Sequence, residues 1–336
     1  MSNNINKMSS YDIISNLSIK KFEDSNVTII GGGYMGMEYV KALEYLNISN
    51  VTIITNSEKN SNFFSTKFNY SVLSGGFEKH LQLLKKQDLV IIATPTHLLS
   101  TVCRMCLDCG QDNILVEKPG SLYLNDLKLL DEKSKECRIR IAYNRLCYPN
   151  IHLLKKLCEN EEGILSCKFD FTEWVHKIPF DRYTNDEYKF WGISNSLHVI
   201  SLAFELIGIP KEITCYHHGS FDWHPSGSIF TGSGISCNNI PFSYHANWES
   251  AGRWMVEVMT QHNSYRLMPL EELFVCKKGS TEWNPVTFNS TSTKTKSGIL
   301  EQIVIMLDKS LEKFCPLITL EQSIDYIRIA QKILNY

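Results

Sequence analysis

Two regimes of apolar and polar positions divide the chain. Over residues 27–143, short runs of Val, Ile and Leu alternate with stretches whose apolar residues recur at helical spacing. The runs at 27–30, 51–55, 88–94, 113–116 and 138–143 read as strands, and 35–46, 77–86, 97–108 and 125–136 read as helices. Strands that are apolar throughout must be covered on both faces. The alternation therefore predicts a parallel sheet with its ligand edge at the carboxyl ends of the strands. Past residue 144 the pattern changes to a helix near 150–158, a strand-like 164–172 and a helix near 196–206. Alternating segments between 213 and 276 then suit a mostly antiparallel sheet, and helices near 299–314 and 320–334 close the chain.

The first turn of this pattern carries candidate chemistry. Val27-Thr28-Ile29-Ile30 runs into Gly31-Gly32-Gly33-Tyr34-Met35-Gly36, a G-x-G-x-x-G turn between a strand and a helix. The first glycine permits the tight turn, the second lets backbone approach a pyrophosphate, and the third lets helix and strand pack closely. The N–H groups that open the helix at Tyr34 and Met35 then face the phosphates. We therefore expect an α/β protein in three parts. Residues 1–25 form an N-terminal extension, 26–143 a Rossmann NAD(P)-binding domain, and 144–336 an α/β domain with an open, mostly antiparallel sheet for substrate binding and oligomerisation.

The second strand ends in Thr55-Asn56-Ser57-Glu58-Lys59, without the acidic residue that grips an adenosine ribose at its end. Small polar groups and a lysine suit a 2′-phosphate, which tilts the expectation from NAD towards NADP; an ordinary polar loop with a solvated Lys59 fits the same residues.

The formal net charge of −2 argues against nucleic acid as a partner. Residues 1–26 lack the continuous apolar core of a signal peptide or anchor, and no later stretch is long and apolar enough to span a bilayer. The expectation is a soluble, cytoplasmic protein with no membrane partner. Its eleven cysteines then read as reduced thiols. Cys103, Cys106 and Cys109 have a spacing that suits either metal ligands or small buried groups on one helical face. No Cys/His pair nearby completes a tetrahedral set, so no metal is expected.

Three further strand ends carry polar groups to the same edge: Thr94-Pro95-Thr96-His97, Glu117-Lys118-Pro119 and Tyr143-Asn144-Arg145. In the second half, Gly192-Ile193-Ser194-Asn195-Ser196-Leu197-His198 opens an apolar helix. In order and approximate spacing, this set resembles the glucose–fructose oxidoreductase/inositol dehydrogenase family, often written Gfo/Idh/MocA. The resemblance covers nearly all of the chain after Asn26. It implies hydride transfer between NAD(P) and a hydroxyl or keto carbon of a sugar, nucleotide sugar or cyclitol, in a homo-oligomer (a dimer or tetramer).

The resemblance also assigns residues. Lys118 matches the family's catalytic lysine, whose ammonium stabilises charge on the reacting oxygen, and His198 its catalytic histidine. Cofactor contacts are expected from Gly31, Gly33, Tyr34, Met35, Gly36, Thr55, Asn56, Thr94, Pro95, His97, Glu117 and Lys118. Substrate contacts are expected from Lys118, Asn144, Arg145, Asn195, His198, Trp174 and Tyr183. Arg145 fits either an anionic substrate group or a salt bridge. The aromatics Trp174, Tyr183, Trp191, Trp223, Tyr244 and Trp248 fit either a carbohydrate pocket or sheet packing.

Where the family's polyol-oxidising members carry aspartates, four residues before and three after the histidine, this chain has Ser194 and Ser201. His198 thereby loses a partner that would orient it, leaving Ser194, Asn195 or a different relay to do so. Two other activities of the same fold stay open: reduction of an imine or tetrapyrrole bond, and ligand sensing without catalysis.

Overall fold

The computed structural model describes residues 19–289 and 295–336. The described residues divide into two compact units, one of 19–147 with 295–324 and the other of 148–289 with 325–336.

In the first unit, six parallel strands run in the order β3-β2-β1-β4-β5-β6: β1 Val27–Ile30, β2 Val51–Ile54, β3 Ser71–Leu73, β4 Leu89–Ile92, β5 Asn113–Glu117 and β6 Arg138–Ala142. β1 and β4 are buried along their whole length, as their unbroken apolar runs require. Helices α1 Tyr34–Tyr45, α2 Glu58–Lys67, α3 Leu99–Asp108 and α4 Leu124–Lys133 connect the strands.

Two expectations are corrected here. The segment 77–86 forms only short 3-10 turns at Phe77–Lys79 and Leu81–Leu83, because of its apolar residues Leu81 alone is fully buried. The helix after β2 is instead α2, which leads to β3, buries only Ser61 and Phe64 and so shows little apolar periodicity. Its legible signal was Ser57, whose side chain accepts a hydrogen bond from the Asn60 N–H.

The second correction concerns the assignment of all of 144–336 to one domain. The chain returns to the first unit with α8, Ile299–Leu307, whose Ile299 and Ile303 share a core with Val40 and Leu43 of α1. The helix expected over 299–314 stops at Leu307, and a 3-10 turn at Lys309–Lys313 follows, started by Asp308 accepting from the Ser310 N–H. Of the expected extension 1–25, residues 1–18 lie outside the described residues; Phe22 is buried in this same core.

The second unit is built on eight strands in the order β14-β13-β12-β11-β7-β10-β9-β8. They are β7 Ser166–Asp170, β8 Pro210–His218, β9 Ile229–Ser236, β10 Pro241–Asn247, β11 Met255–Met259, β12 Asn263–Leu267, β13 Phe274–Lys277 and β14 Asn284–Pro285. Every pairing is antiparallel except β7 with β10. The unit also holds α5 Pro149–Asn160, α6 Asn185–Lys189 and α7 Leu197–Ile207, and α9 Leu320–Leu334 enters it from the first. Phe204 of α7 meets the rings of Phe169 and Phe242, with centroids 5.6 and 5.1 Å away, which seats the helix on the sheet. Among the described residues, no helix is long and apolar enough to cross a membrane.

A buried relay fixes the turn that precedes α7. Gly192 N–H donates to the Tyr336 hydroxyl at 2.9 Å, and that hydroxyl lies 2.6 Å from His224 Nε2. His224 Nδ1 lies 2.7 Å from the Gly227 carbonyl, which can only accept, so Nδ1 carries the proton and Nε2 accepts from Tyr336. The relay needs a neutral ring, and burial lowers the His224 pKa to about 4. A depressed pKa contributes stability that is present above the unfolded value near 6.5 and lost as pH falls towards 4. We expect that loss to reach roughly 3 kcal/mol. Urea midpoints followed from pH 7 to 4 should fall less steeply in His224→Gln than in the parent. Parallel slopes would remove His224 from the acid response.

Candidate active site

The sheet order 3-2-1-4-5-6 reverses direction between β1 and β4, and the crevice at such a reversal is where doubly wound sheets take ligands. The turn 31–36 fills that place. Gly31 has φ +123°, and a Cβ there would collide with the Ala93 carbonyl beyond β4; one at Gly36 would collide with the Gly31 carbonyl. Only glycine lets α1 lie this close to the strands. Gly33 differs, because a Cβ there would enter open space. No side chain caps the start of α1, so its first N–H groups are left for a ligand.

Thr94 Oγ1 is buried without a hydrogen-bond partner at the end of β4, while Pro95 and His97 are exposed beside it. Thr55 turns inwards, its hydroxyl 2.6 Å from Ser61 Oγ, and Asn56 is exposed. These features fit a dinucleotide: an uncapped helix start, space over Gly33 and an unsatisfied hydroxyl on the same edge.

Glu117 ends β5 as a buried carboxylate that accepts from the Tyr39 hydroxyl of α1 at 2.7 Å. Burial raises its pKa; the Tyr39 hydrogen bond and the charges of Lys118 and Lys296 oppose that shift. Lys118 follows, half-buried. Lys296 is a further group at this edge that no sequence motif marks. Its Nζ lies 3.5 Å from Met35 Sδ and 5.0 Å from the Tyr34 ring centroid, so a second ammonium stands at the start of α1. It belongs to no local motif, and only the return of α8 brings it here. Asn144 donates to the Ser297 carbonyl at 3.1 Å and so anchors that return, while Arg145 is half-buried.

In the second unit, the wide turn Gly192–Ser196 leads into α7, with His198 buried near its start. The hydroxyls of Ser194 and Ser201 donate to the carbonyls of Glu187 and His198, each at 3.4 Å. The carboxylate of this site is Glu173, which no sequence motif marks either. It lies in the loop after β7 and is 3% exposed. Asn195 Nδ2 donates to it at 2.9 Å, Ser196 Oγ at 2.6 Å and Trp254 Nε1 at 3.2 Å, and the Arg253 guanidinium is 3.5 Å away. Burial raises the Glu173 pKa, and these four partners oppose the rise. The His198 ring lies 5.9 Å from the Trp254 ring.

The aromatics separate by burial. Tyr244 and Trp248 are core residues, and Trp191 is buried against Tyr183 and Tyr188. Trp174 and Tyr183 keep 39% and 38% of their surface exposed. Arg253 and Lys177 lie 4.7 and 4.1 Å from the Trp174 ring centroid. Cys103 and Cys106 are buried on α3, and burial raises the Cys106 thiol pKa to about 12.

Residues 25–143 match a family described as "Oxidoreductase family, NAD-binding Rossmann fold", that of the Gfo/Idh/MocA proteins. No curated protein sequence matches the chain. Levoglucosan dehydrogenase, solved with NADH and L-sorbose, is 16% identical with TM-score 0.75, over 93% of this chain and 96% of that one. A UDP-N-acetylglucosamine 3-dehydrogenase from Acidithiobacillus ferrooxidans is 14% identical with TM-score 0.70, over 92% and 96%. An oxidoreductase from Thermotoga maritima is 13% identical with TM-score 0.74, over 93% and 96%. At these identities the likenesses establish the fold.

The open space at Gly33 makes a clean test of the cradle. Gly33→Val should keep the parent's circular dichroism and urea midpoint, because a Cβ there enters open space. It should weaken NADH binding at least about tenfold by occupying the space a pyrophosphate needs. Unchanged fluorescence titration with NADH would move the cofactor elsewhere.

Proposed function

We propose, from an N-terminal domain that belongs to the Gfo/Idh/MocA oxidoreductase family, that this chain is an NAD(P)-dependent dehydrogenase. It would transfer hydride to or from a hydroxyl or keto carbon of a sugar, nucleotide sugar or cyclitol. The observation that carries this reading is the placement of Glu117-Lys118 on the same carboxyl edge as the glycine turn. The residues that would hold the cofactor are 31–36, Thr94 and Glu117, with Lys296 at the start of α1. A bound nicotinamide supplies the hydride chemistry.

Lys118 would hold the reacting oxygen, its ammonium favouring negative charge there and exchanging a proton with it. Glu117, buried and bonded to Tyr39, would supply a fixed negative neighbour to that ammonium. His198 is the second unit's candidate for moving the hydroxyl proton. Trp174 and Tyr183 offer the exposed aromatic faces on which sugars stack, and Asn195 is a polar candidate of the same unit. The absence of a carboxylate at the end of β2, with Lys59 close behind it, favours the phosphorylated cofactor. In this reading the protein acts in the cytoplasm as a homo-oligomer.

Paired titrations of NADH and NADPH should show tighter NADPH binding; tighter NADH would reverse the cofactor preference. Turnover should then appear on a panel of levoglucosan, myo-inositol and UDP-N-acetylglucosamine, followed at the nicotinamide absorbance. Cofactor binding without turnover of any polyol or keto-sugar would favour ligand sensing. Lys118→Ala should lower turnover roughly 10²–10⁴-fold with cofactor affinity retained. A loss within a few-fold would take Lys118 out of the proton path. Lys296→Ala should weaken cofactor binding several-fold, more at low salt than at high salt, as a charge–phosphate contact requires. Equal affinities in parent and variant would place Lys296 off the phosphates.

A further inference from the structure

We propose that Glu173 is the positioning residue for His198, supplying from the loop after β7 the carboxylate that positions 194 and 201 lack. The proposal rests on the reading of His198 as a proton-transfer group.

A carboxylate buried to 3% exposure persists only where donors replace its water. Glu173 has them on both oxygens. Oε1 accepts from Ser196 Oγ at 2.6 Å and Trp254 Nε1 at 3.2 Å, and Oε2 accepts from Asn195 Nδ2 at 2.9 Å with Arg253 at 3.5 Å. These donors lie on two sides of His198, in the chain before it and against its ring. Ser196 and Asn195 precede it by two and three residues, which fixes the backbone leading into the first turn of α7. Trp254 carries the indole beside the His198 ring. One charge therefore sets both the anchor and the packing surface of the imidazole.

The grip extends to the exposed aromatic face. Arg253 stacks 4.2 Å from the Trp254 centroid and 4.7 Å from that of Trp174, so the same carboxylate holds the cation between the two indoles. Ser194 and Ser201, at the positions of the missing aspartates, direct their hydroxyls to backbone carbonyls. The carboxylate near this histidine is thus delivered through tertiary structure rather than along its own helix.

A carboxamide at position 173 would keep the shape but turn an N–H₂ towards donors, leaving at least one without an acceptor. The test uses the full chain with 13C-labelled histidine, the His198 ring signal being identified by its loss in His198→Gln. In Glu173→Gln that signal should move or split, while the signals of exposed His217 and His245 stay in place. A folded Glu173→Gln with an unmoved His198 signal overturns the proposal. If Glu173→Gln does not fold, Ser196→Ala removes one donor and decides in its place: a moved His198 signal supports the proposal, an unmoved one overturns it.

On whichever of levoglucosan, myo-inositol or UDP-N-acetylglucosamine the parent oxidises, Glu173→Gln should lower kcat about ten- to a hundredfold, with NADH affinity unchanged. A kcat within twofold of the parent also overturns the proposal. If the parent oxidises none of the three, the proposed activity fails, and the ring signal still decides whether Glu173 positions His198.

Discussion

The first unit depends on one steric constraint: α1 must lie against the β1–β4 seam with no side chain between. The Ala93 carbonyl occupies the space where a Cβ of Gly31 would sit, and the Gly31 carbonyl does the same at Gly36. Because the helix starts so close to the strands, its uncapped N–H groups are delivered to the carboxyl edge of the sheet. The same approach lets Tyr39, on the buried face of α1, reach Glu117 at the end of β5. The glycine turn and the buried carboxylate beside Lys118 thus follow from one packing condition, with α8 sharing the core of α1.

What was legible in the sequence was local. Unbroken apolar runs exposed the strands of the first unit, since a strand buried on both faces has no polar alternation to blur it. The glycine turn and Glu117-Lys118 were readable because their chemistry is carried by consecutive residues. Failures came where burial and hydrophobicity part company. α2 buries almost nothing and hid behind its polarity, whereas 77–86 has the apolar content of a helix but buries mainly Leu81. The return of 295–324 to the first unit was invisible for another reason. Ile299 and Ile303 record that they are buried, not what buries them.

The site residues missed by sequence reading share that cause. Lys296 and Glu173 belong to no spacing that chemistry imposes along the chain, and each acquires its neighbours only after folding. Asn144 shows the converse, since a polar residue at a promising strand end bonds the Ser297 carbonyl and holds the chain's return. Tyr244 and Trp248 likewise have the composition of a sugar pocket and the burial of a core. Exposure separates Trp174 and Tyr183 from them, and exposure is a property of the fold.

Both units keep a buried glutamate at the edge that carries their chemistry, and they hold it by different means. Glu117 accepts from the Tyr39 hydroxyl and the Lys118 backbone N–H, with the Lys118 and Lys296 ammonium groups acting through the field. Glu173 accepts from two side chains of the turn before α7 and from an indole N–H, with the Arg253 guanidinium acting through its charge from 3.5 Å. Both carboxylates thus combine directional donors with cations, and they differ in what the donors belong to. The Tyr39 hydroxyl ties Glu117 to α1, whereas Asn195, Ser196 and Trp254 tie Glu173 to the turn before α7 and to the indole nearest the His198 ring. A buried charge that loses a donor loses part of what replaced its water, so each carboxylate holds the elements that supply its donors in place.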